Sequence, residues 1–209
     1  MSDPAQRFDP ASSEDFREAM AIVFGNESLE PARAKEAADT VTLDCIESSV
    51  GLLIAGATQD AVVQLEFSDR QTLERRLRTV RRRFTSPIVQ GSNRWLQELT
   101  VQLSQYFAGE RREFQLPLRY PGTAFQERVW DTLLEIPYGR TWSYLDMAVR
   151  IGDVKATRAV GSANGTNPIA IIIPCHRVIN ANGELGGYGG GLWRKRILLD
   201  LEMGQKGLF

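Results

Sequence analysis

A break at Pro121-Gly122 divides the chain into two stretches whose apolar residues follow different periods, so the two cannot share one kind of layer. Before the break the pattern is that of strands. Val41, Leu43 and Cys45 alternate, Gly51-Leu52-Leu53-Ile54-Ala55 and the run Ala61 to Phe67 follow, and Gly56 and Asp60 mark a turn between them. Ser68-Asp69 can cap a helix reaching Phe84, and Asn93 can cap another with Leu96, Leu99, Leu103 and Phe107 on one face. Glu113 to Leu118 reads as a final strand or an extended connection. Residues 39–120 are therefore expected to form a small α/β domain. Ahead of them, residues 1–38 are polar, with one helix expected from Ser13 to Phe24 on the spacing of Phe16, Met20, Val23 and Phe24. One helix cannot bury a core alone, so this extension must dock elsewhere or stay mobile.

Residues 121–209 are expected to be mainly helical. Thr123 to Gln126 forms a capping box, and Phe125, Val129, Leu133 and Ile136 carry an apolar face that Pro137 ends. Ser143 to Ile151 reads as a short helix, Gly152-Asp153 as a tight turn, and Lys155 to Asn164 as a second short helix. That arrangement fits a helix-turn-helix, and it fits an ordinary helical hairpin equally well. Ile169-Ala170-Ile171-Ile172-Ile173 is too short for a helix and too apolar for an edge, which predicts a buried strand. Asn182-Gly183 signals a turn, Gly186 to Gly191 form a glycine-rich loop around Tyr188, and a closing helix is expected from Leu192 to Glu202.

Composition excludes several classes. The chain is 43% hydrophobic and 24% charged, as globular proteins are, and contains no run of about 18 apolar residues that could cross a membrane. Met1 to Pro10 lacks the apolar core of a secretory signal, and two cysteines suit a reducing cytoplasm better than a disulfide framework. One histidine and two cysteines cannot assemble a structural zinc site, so no metal is expected. The net charge of −1 rules out polyanion binding by bulk electrostatics, although basic residues cluster at Arg75, Arg76, Arg78, Arg81, Arg82 and Arg83 and again at Arg194, Lys195 and Arg196. Phosphate contacts need only a local basic face. The first cluster is read as a solvated helix face.

The chemistry-bearing pair is Cys175-His176, directly after Pro174. A thiol attacks only as thiolate, and a neighbouring imidazole, directly or through water, can take its proton. A rigid segment ahead of the sulfur would fix it for in-line displacement at carbon. On adjacency alone, a buried free cysteine beside a surface histidine explains the pair better. Cys45 sits in a strand pattern with no histidine near it in sequence and reads as a small buried residue.

The wider pattern is more specific. Asn167-Pro168, the run Ile171-Ile172-Ile173-Pro174-Cys175-His176-Arg177-Val178 and the run Gly187-Tyr188-Gly189-Gly190-Gly191-Leu192 closely resemble the methylated-DNA–protein-cysteine methyltransferases. The likeness reaches back through Gly122-Thr123-Ala124-Phe125-Gln126 and Ile136-Pro137-Tyr138-Gly139, so that it covers residues 121–202. Residues 40–120 resemble the family's less distinctive amino-terminal domain. The resemblance implies a ribonuclease-H-like α/β domain followed by a mainly α domain with a helix-turn-helix or winged-helix-like DNA-binding unit. It implies stoichiometric repair of O6-alkylguanine in double-stranded DNA, with O4-alkylthymine as a candidate second substrate that the sequence does not decide, by a monomer that needs no cofactor. Cys175 would accept the alkyl group, His176 would deprotonate it through a water, and Glu202 would orient His176. Asn167 would brace the active-site turn, and Tyr144 would hydrogen-bond N3 of the guanine. Arg158 would fill the gap left by the flipped base, with Lys155 as a further DNA contact. The Val178 carbonyl would read the exocyclic amine, while Tyr188 and the Gly189 amide would shape the pocket near O6.

Some positions depart from the family pattern. The zinc ligands that some members carry have no counterpart. Ala170 stands where a pocket-lining proline can stand, and Gly165 replaces a DNA-facing basic residue. The segment Asp15 to Gly25 also resembles the last piece of an AraC-type DNA-binding domain, a remnant without the rest of its helix-turn-helix. Three rival readings remain: a lesion binder like the family's relatives that lack the cysteine, a regulator switched by self-alkylation, and a cysteine hydrolase. The presence of Cys175, the fragmentary amino-terminal segment and the lack of any oxyanion-hole signal weigh against them in turn.

Overall fold

In the computed structural model the described residues are 19–22, 40–68, 73–84 and 86–204. Strands β1 (Val41–Ser48), β2 (Gly51–Ala57) and β3 (Val62–Ser68) form an antiparallel meander, followed by helix α1 (Leu73–Arg83). Strand β4 (Ile88–Gln90) then pairs in parallel with β1, giving the order β3-β2-β1-β4. The first hairpin turns at Gly51 (φ +97°), where Ser48 Oγ donates to the Gly51 carbonyl at 2.7 Å.

Every residue of β2 is buried, because both faces of the sheet are covered. Leu52 and Ile54 face one way, against Val41, Leu43 and Val63 with Leu77 and Val80 of α1; Ala19 and Met20 pack there too. Leu53 and Ala55 face the other way, against helix α2 (Arg94–Phe107) and the whole carboxy-terminal half. Covering both faces explains why β2 reads as a continuous apolar run.

Helix α2 begins where Asn93 caps it, accepting from the Trp95 and Leu96 amides. Asn93 Nδ2 also donates to the Ala57 and Thr58 carbonyls, tying the helix start to the end of β2. The stretch from Glu113 to Leu118 is an extended connection that meets the sheet through a single bridge between Leu118 and Val62.

Beyond it the helices take over. Helix α3 (Ala124–Leu134) starts in the Thr123–Gln126 capping box, and α4 (Tyr144–Arg150) in a second one between Ser143 and Asp146. A 3₁₀ turn, Val154–Ala156, leads into α5 (Thr157–Gly165), so Lys155 lies in the turn and not in the helix expected to start there; Asp153 caps the turn by accepting from the Lys155 amide. Gly152 (φ +83°) makes the bend between α4 and that turn. Strands β5 (Trp142–Ser143) and β6 (Val178–Ile179) pair in parallel, and α6 (Leu192–Glu202) closes the chain. The fold is thus an α/β sheet unit followed by a mainly helical one, joined by a single apolar core.

Several expectations need correction or fall outside the description. Residues 169–173 are buried but form no strand: only Ile169 bridges, to Leu65, and the rest is a coil of turns with Ile171 at φ +71°. Burial alone does not distinguish a strand from a packed coil when side-chain hydrogen bonds close the loop. Ser68 ends β3 instead of capping α1, and Asp69 lies outside the described residues. Of the helix expected from Ser13 to Phe24, residues 19–22 are helical; Phe16, Val23, Phe24 and most of the AraC-like segment lie outside.

Candidate active site

The coil from Asn167 to Pro174 carries the cysteine, and Asn167 holds it in shape. Its Oδ1 accepts from the Ile169 amide at 3.0 Å, and its Nδ2 donates to the Ile173 carbonyl at 2.7 Å. One side chain thereby closes the loop at both ends and supports the left-handed backbone of Ile171, a conformation costing on the order of 1 kcal/mol for a β-branched residue. The same Nδ2 lies 3.0 Å from Cys175 Sγ, so the brace also contacts the nucleophile.

Cys175 opens a 3₁₀ turn, Cys175–Arg177, and is 5% exposed. Its sulfur borders a cleft walled by Asn164, Asn167, Ala170, Tyr188 and the backbone at Gly189 and Gly190, with Glu66 and Phe67 contributed by β3. Burial pushes the thiol up; the Asn167 hydrogen bond and the Lys195 charge pull it back only in part. In the resting protein it is a thiol that needs a base.

His176 is fully buried beside it. Its Nε2 faces Glu202 Oε1 at 2.8 Å, while its Nδ1 makes no hydrogen bond to the protein. Burial pushes the imidazole down and the Arg177 and Lys195 charges add to that, against the pull of Glu202. It is therefore neutral, with the proton on Nε2 and the lone pair on Nδ1. Burial alone would push the Glu202 carboxyl up, but the hydrogen bonds of His176 and Arg177 and the Arg177 charge hold it well below the usual carboxylate range.

Glu202 is the centre of the network. Arg177 grips it with Nε on Oε2 at 2.8 Å and Nη2 on Oε1 at 3.0 Å, and donates Nη1 to the Ile136 carbonyl. The Gly139 amide donates to Oε2 at 3.2 Å, and the Tyr106 hydroxyl to Oε1 at 2.7 Å. A buried carboxylate with donors on both oxygens is a fixed negative charge.

The glycine-rich loop is tied down from α6. Lys195, fully buried, donates Nζ to the Val178 carbonyl at 2.6 Å, to the Gly187 carbonyl at 3.4 Å and to the Leu185 carbonyl. Burial pulls this lysine down to about 8. Arg194 donates to the Val50 carbonyl at 2.7 Å and the Gly190 carbonyl at 2.9 Å, stitching the loop to the β1–β2 hairpin. Gly190 is required by packing, since a Cβ there would lie 2.5 Å from the Phe67 ring. Tyr188 stacks edge-on against Phe67, and its buried hydroxyl lies in the field of Cys175.

The structure thus brings Cys175, Asn167, Tyr188 and the Gly189 backbone to one cleft, while His176 and Glu202, paired with each other at 2.8 Å, are buried outside its lining. Tyr144, at the start of α4, donates to the Gly187 carbonyl at 3.5 Å; burial and the nearby Cys175 push its hydroxyl up, so it stays a donor. Val178 ends the 3₁₀ turn with one acceptor site of its carbonyl already taken by Lys195. Arg158 and Lys155 are exposed on α5 and the turn before it, outside the cleft lining.

Sequence reasoning put Arg194 and Lys195 in a basic cluster suited to phosphate contacts, whereas both are buried with backbone carbonyls as partners. It gave no role to Arg177, Tyr106 or Asn164, whose Nδ2 donates to the Cys175 carbonyl at 3.4 Å. A signal existed for Lys195 and Glu202: both lie on the face of α6 that buries Leu198 and Leu199, where charges are not expected without partners. Tyr106 had none. Among the described residues no three His, Cys, Asp or Glu side chains gather as a metal site would need, and no helix is long and apolar enough to cross a membrane.

Comparison with known proteins covers both halves. Residues 124–204 match the family model for the 6-O-methylguanine DNA methyltransferase DNA-binding domain, and residues 41–120 that for its ribonuclease-like domain. The methylated-DNA–protein-cysteine methyltransferase of Mycobacterium tuberculosis is 63% identical over 101 residues, 48% of this chain and 61% of that protein, so the aligned part spans less than two thirds of that relative. The Methanosarcina barkeri protein of the same name is 42% identical over 160 residues, 76% of this chain and 95% of that protein. Among solved structures, Mycobacterium tuberculosis OGT in complex with DNA has a TM-score of 0.66 at 42% identity, covering 79% of this chain and 94% of that one.

Proposed function

The chain belongs to the 6-O-methylguanine DNA methyltransferase family, and from that premise we propose that it repairs DNA by moving an alkyl group from O6 of guanine to Cys175, once per molecule. The observation that carries this reading is a buried thiol held by Asn167 on a braced coil, beside a neutral imidazole whose outer nitrogen is fixed by Glu202. The same reading keeps residues 1–38, 39–120 and 121–209 as an extension, a supporting domain and a DNA-binding domain.

The substrate carbon is unreachable in stacked duplex, so the nucleotide is flipped into the cleft, at a cost of a few kcal/mol that is smaller for a damaged pair. Arg158 and Lys155, exposed on the helix-turn-helix, contact the DNA there, Arg158 filling the place of the departed base. Val178 and Gly189 backbone groups and Tyr188 position the guanine. The Cys175 proton passes through a water to Nδ1 of His176, whose imidazolium is stabilised by Glu202. The thiolate then attacks the alkyl carbon; the new S–C bond forms as the C–O6 bond breaks, and the electron pair goes to the guanine, where the Tyr144 hydroxyl at N3 and a returning proton complete normal guanine. The resulting thioether has no good leaving group, so the protein is consumed. A DNA substrate and a thiol that must stay reduced suit a cytoplasmic, nucleoid-associated protein, and one cleft for one flipped base suits a monomer.

The test is to incubate the protein with duplex DNA carrying one O6-methylguanine and follow the intact mass. A single methyl-sized gain that maps to Cys175 and stops at one equivalent is expected. Continued turnover, or lesion binding with no adduct, would overturn the mechanism.

A further inference from the structure

Glu202 receives a donor from the other half of the molecule. Tyr106 lies on α2, 96 residues away in sequence, and is fully buried. Its ring is held by Phe107 and Phe114 at 5.4 Å and by Tyr138 at 6.2 Å, so the hydroxyl has little freedom to point elsewhere. It donates at 2.7 Å to Oε1, the oxygen that His176 Nε2 also contacts. We propose that Tyr106 is a positioning residue for the alkyl transfer, through which the sheet domain sets the strength of the Glu202–His176 pair and so the basicity of His176.

The argument is electrostatic. His176 is surrounded by Glu202 and Lys195 from α6, by its neighbours Arg177 and Cys175, and, through Glu202, by Tyr106 from α2 and Tyr138. Arg177 neutralises Glu202 with a full charge, whereas Tyr106 withdraws electron density from Oε1 without adding one. Burial and Glu202 both push the phenol well above its ordinary value, so it remains a donor throughout the range in which His176 titrates. Removing that donor leaves Oε1 more basic toward His176 and makes the imidazolium easier to form. A hydroxyl that served packing alone would leave the histidine untouched.

The proposal rests on Cys175 being the acceptor for its kinetic consequence, but the imidazole can be read independently, because His176 is the chain's one histidine. The experiment is Tyr106→Phe in the full chain, which keeps the ring and removes the hydroxyl. Imidazole 15N shifts, free of overlap, are followed against pH in both proteins, and the pH profile of Cys175 alkylation by a lesion-bearing duplex is recorded alongside. Onset of imidazolium about 0.5–1 pH unit higher in the variant is expected, with the acid limb of the alkylation profile moving up equally and lesion affinity unchanged. Identical imidazole shifts in both proteins across the folded range would overturn the proposal, whatever the thermal stability of the variant. A shifted imidazole without any adduct in either protein would instead leave Tyr106 in place and overturn the repair reading. If Tyr106→Phe proves too unstable to titrate, Phe114→Leu, which keeps the hydroxyl but frees the ring that aims it, is titrated instead: onset of imidazolium shifted the same way by a smaller amount is expected, and unchanged imidazole shifts would overturn the proposal.

Discussion

The two halves of this molecule are similar in length and differ in what holds them. In the sheet half, order comes from the backbone: β1, β2 and β3 pair residue by residue, and the side chains pack both faces. In the helical half, the functional segment from Asn167 to Gly191 has almost no ladder of its own beyond the two-residue pairing of β5 with β6. Its carbonyls are collected instead by side chains: Ile173 by Asn167, Val178 and Gly187 by Lys195, Gly190 by Arg194. Repeating backbone pairs tolerate the loss of one side chain through the rest of the ladder. A coil held by a few side chains, Asn164 at the Cys175 carbonyl among them, is far more sensitive to losing one, and its shape aims the sulfur.

The largest expected effect separates the two cysteines, one in each half. Cys175→Ala should abolish the protein–alkyl adduct completely, while Cys45→Ala should still take one equivalent, as read by intact mass after exposure to O6-methylguanine duplex. Cys45 is pushed up to about 11 by burial and by its acidic neighbours Asp44 and Glu47, so it stays a thiol with no base nearby. An adduct on Cys45 would erase the distinction.

Next comes Glu202→Gln, which leaves Arg177 buried without its anion. A loss of about 3–5 kcal/mol in urea unfolding is expected, together with a fall in alkylation rate on the order of 10²-fold or more. The pH dependence follows from the same groups. His176 is pushed below its ordinary 6.5, so below that pH the unfolded chain binds a proton that the native state refuses, and stability falls. Glu202 is held below its ordinary 4.5, so its contribution is complete above that value and is lost as pH drops further. The wild type should therefore lose stability in two stages below about 6.5 and 4.5, and the Glu202→Gln variant should lack the second.

The smallest pair of effects tests the comparison most directly. Leu53→Ala, in the fully buried β2, should cost about 2–5 kcal/mol yet leave the alkylation rate of the folded protein within about twofold. Asn167→Ala should cost less, about 1–3 kcal/mol, and slow alkylation at least tenfold, because it frees the coil that carries Cys175. Thermal melts and single-turnover kinetics at a temperature where both are folded would check this. A reversed order of rate effects would show that the site depends on the sheet more than on its own braces.

Much of the architecture was legible because it is periodic. The alternation through Val41 and Leu43, the Asn93 cap, the Thr123–Gln126 box and the closing helix to Glu202 all stand where the pattern puts them. Asn167 and Tyr188 were legible only through family resemblance. The segment Ile169 to Ile173 misled, since an apolar run records burial and not backbone geometry, and its left-handed residue Ile171 sits in a loop that Asn167 closes by hydrogen bonds.

The sequence by itself determined the division into a strand-patterned and a helix-patterned half, and the adjacency of Cys175 and His176. These are local properties, set by side-chain spacing along one element. The tertiary structure decided which acceptors each buried donor finds. Tyr106 reaches Glu202 across 96 residues and Arg194 reaches Val50 across 144. Such contacts leave no periodic trace, because they depend on where two separately folded surfaces meet and not on the spacing within either.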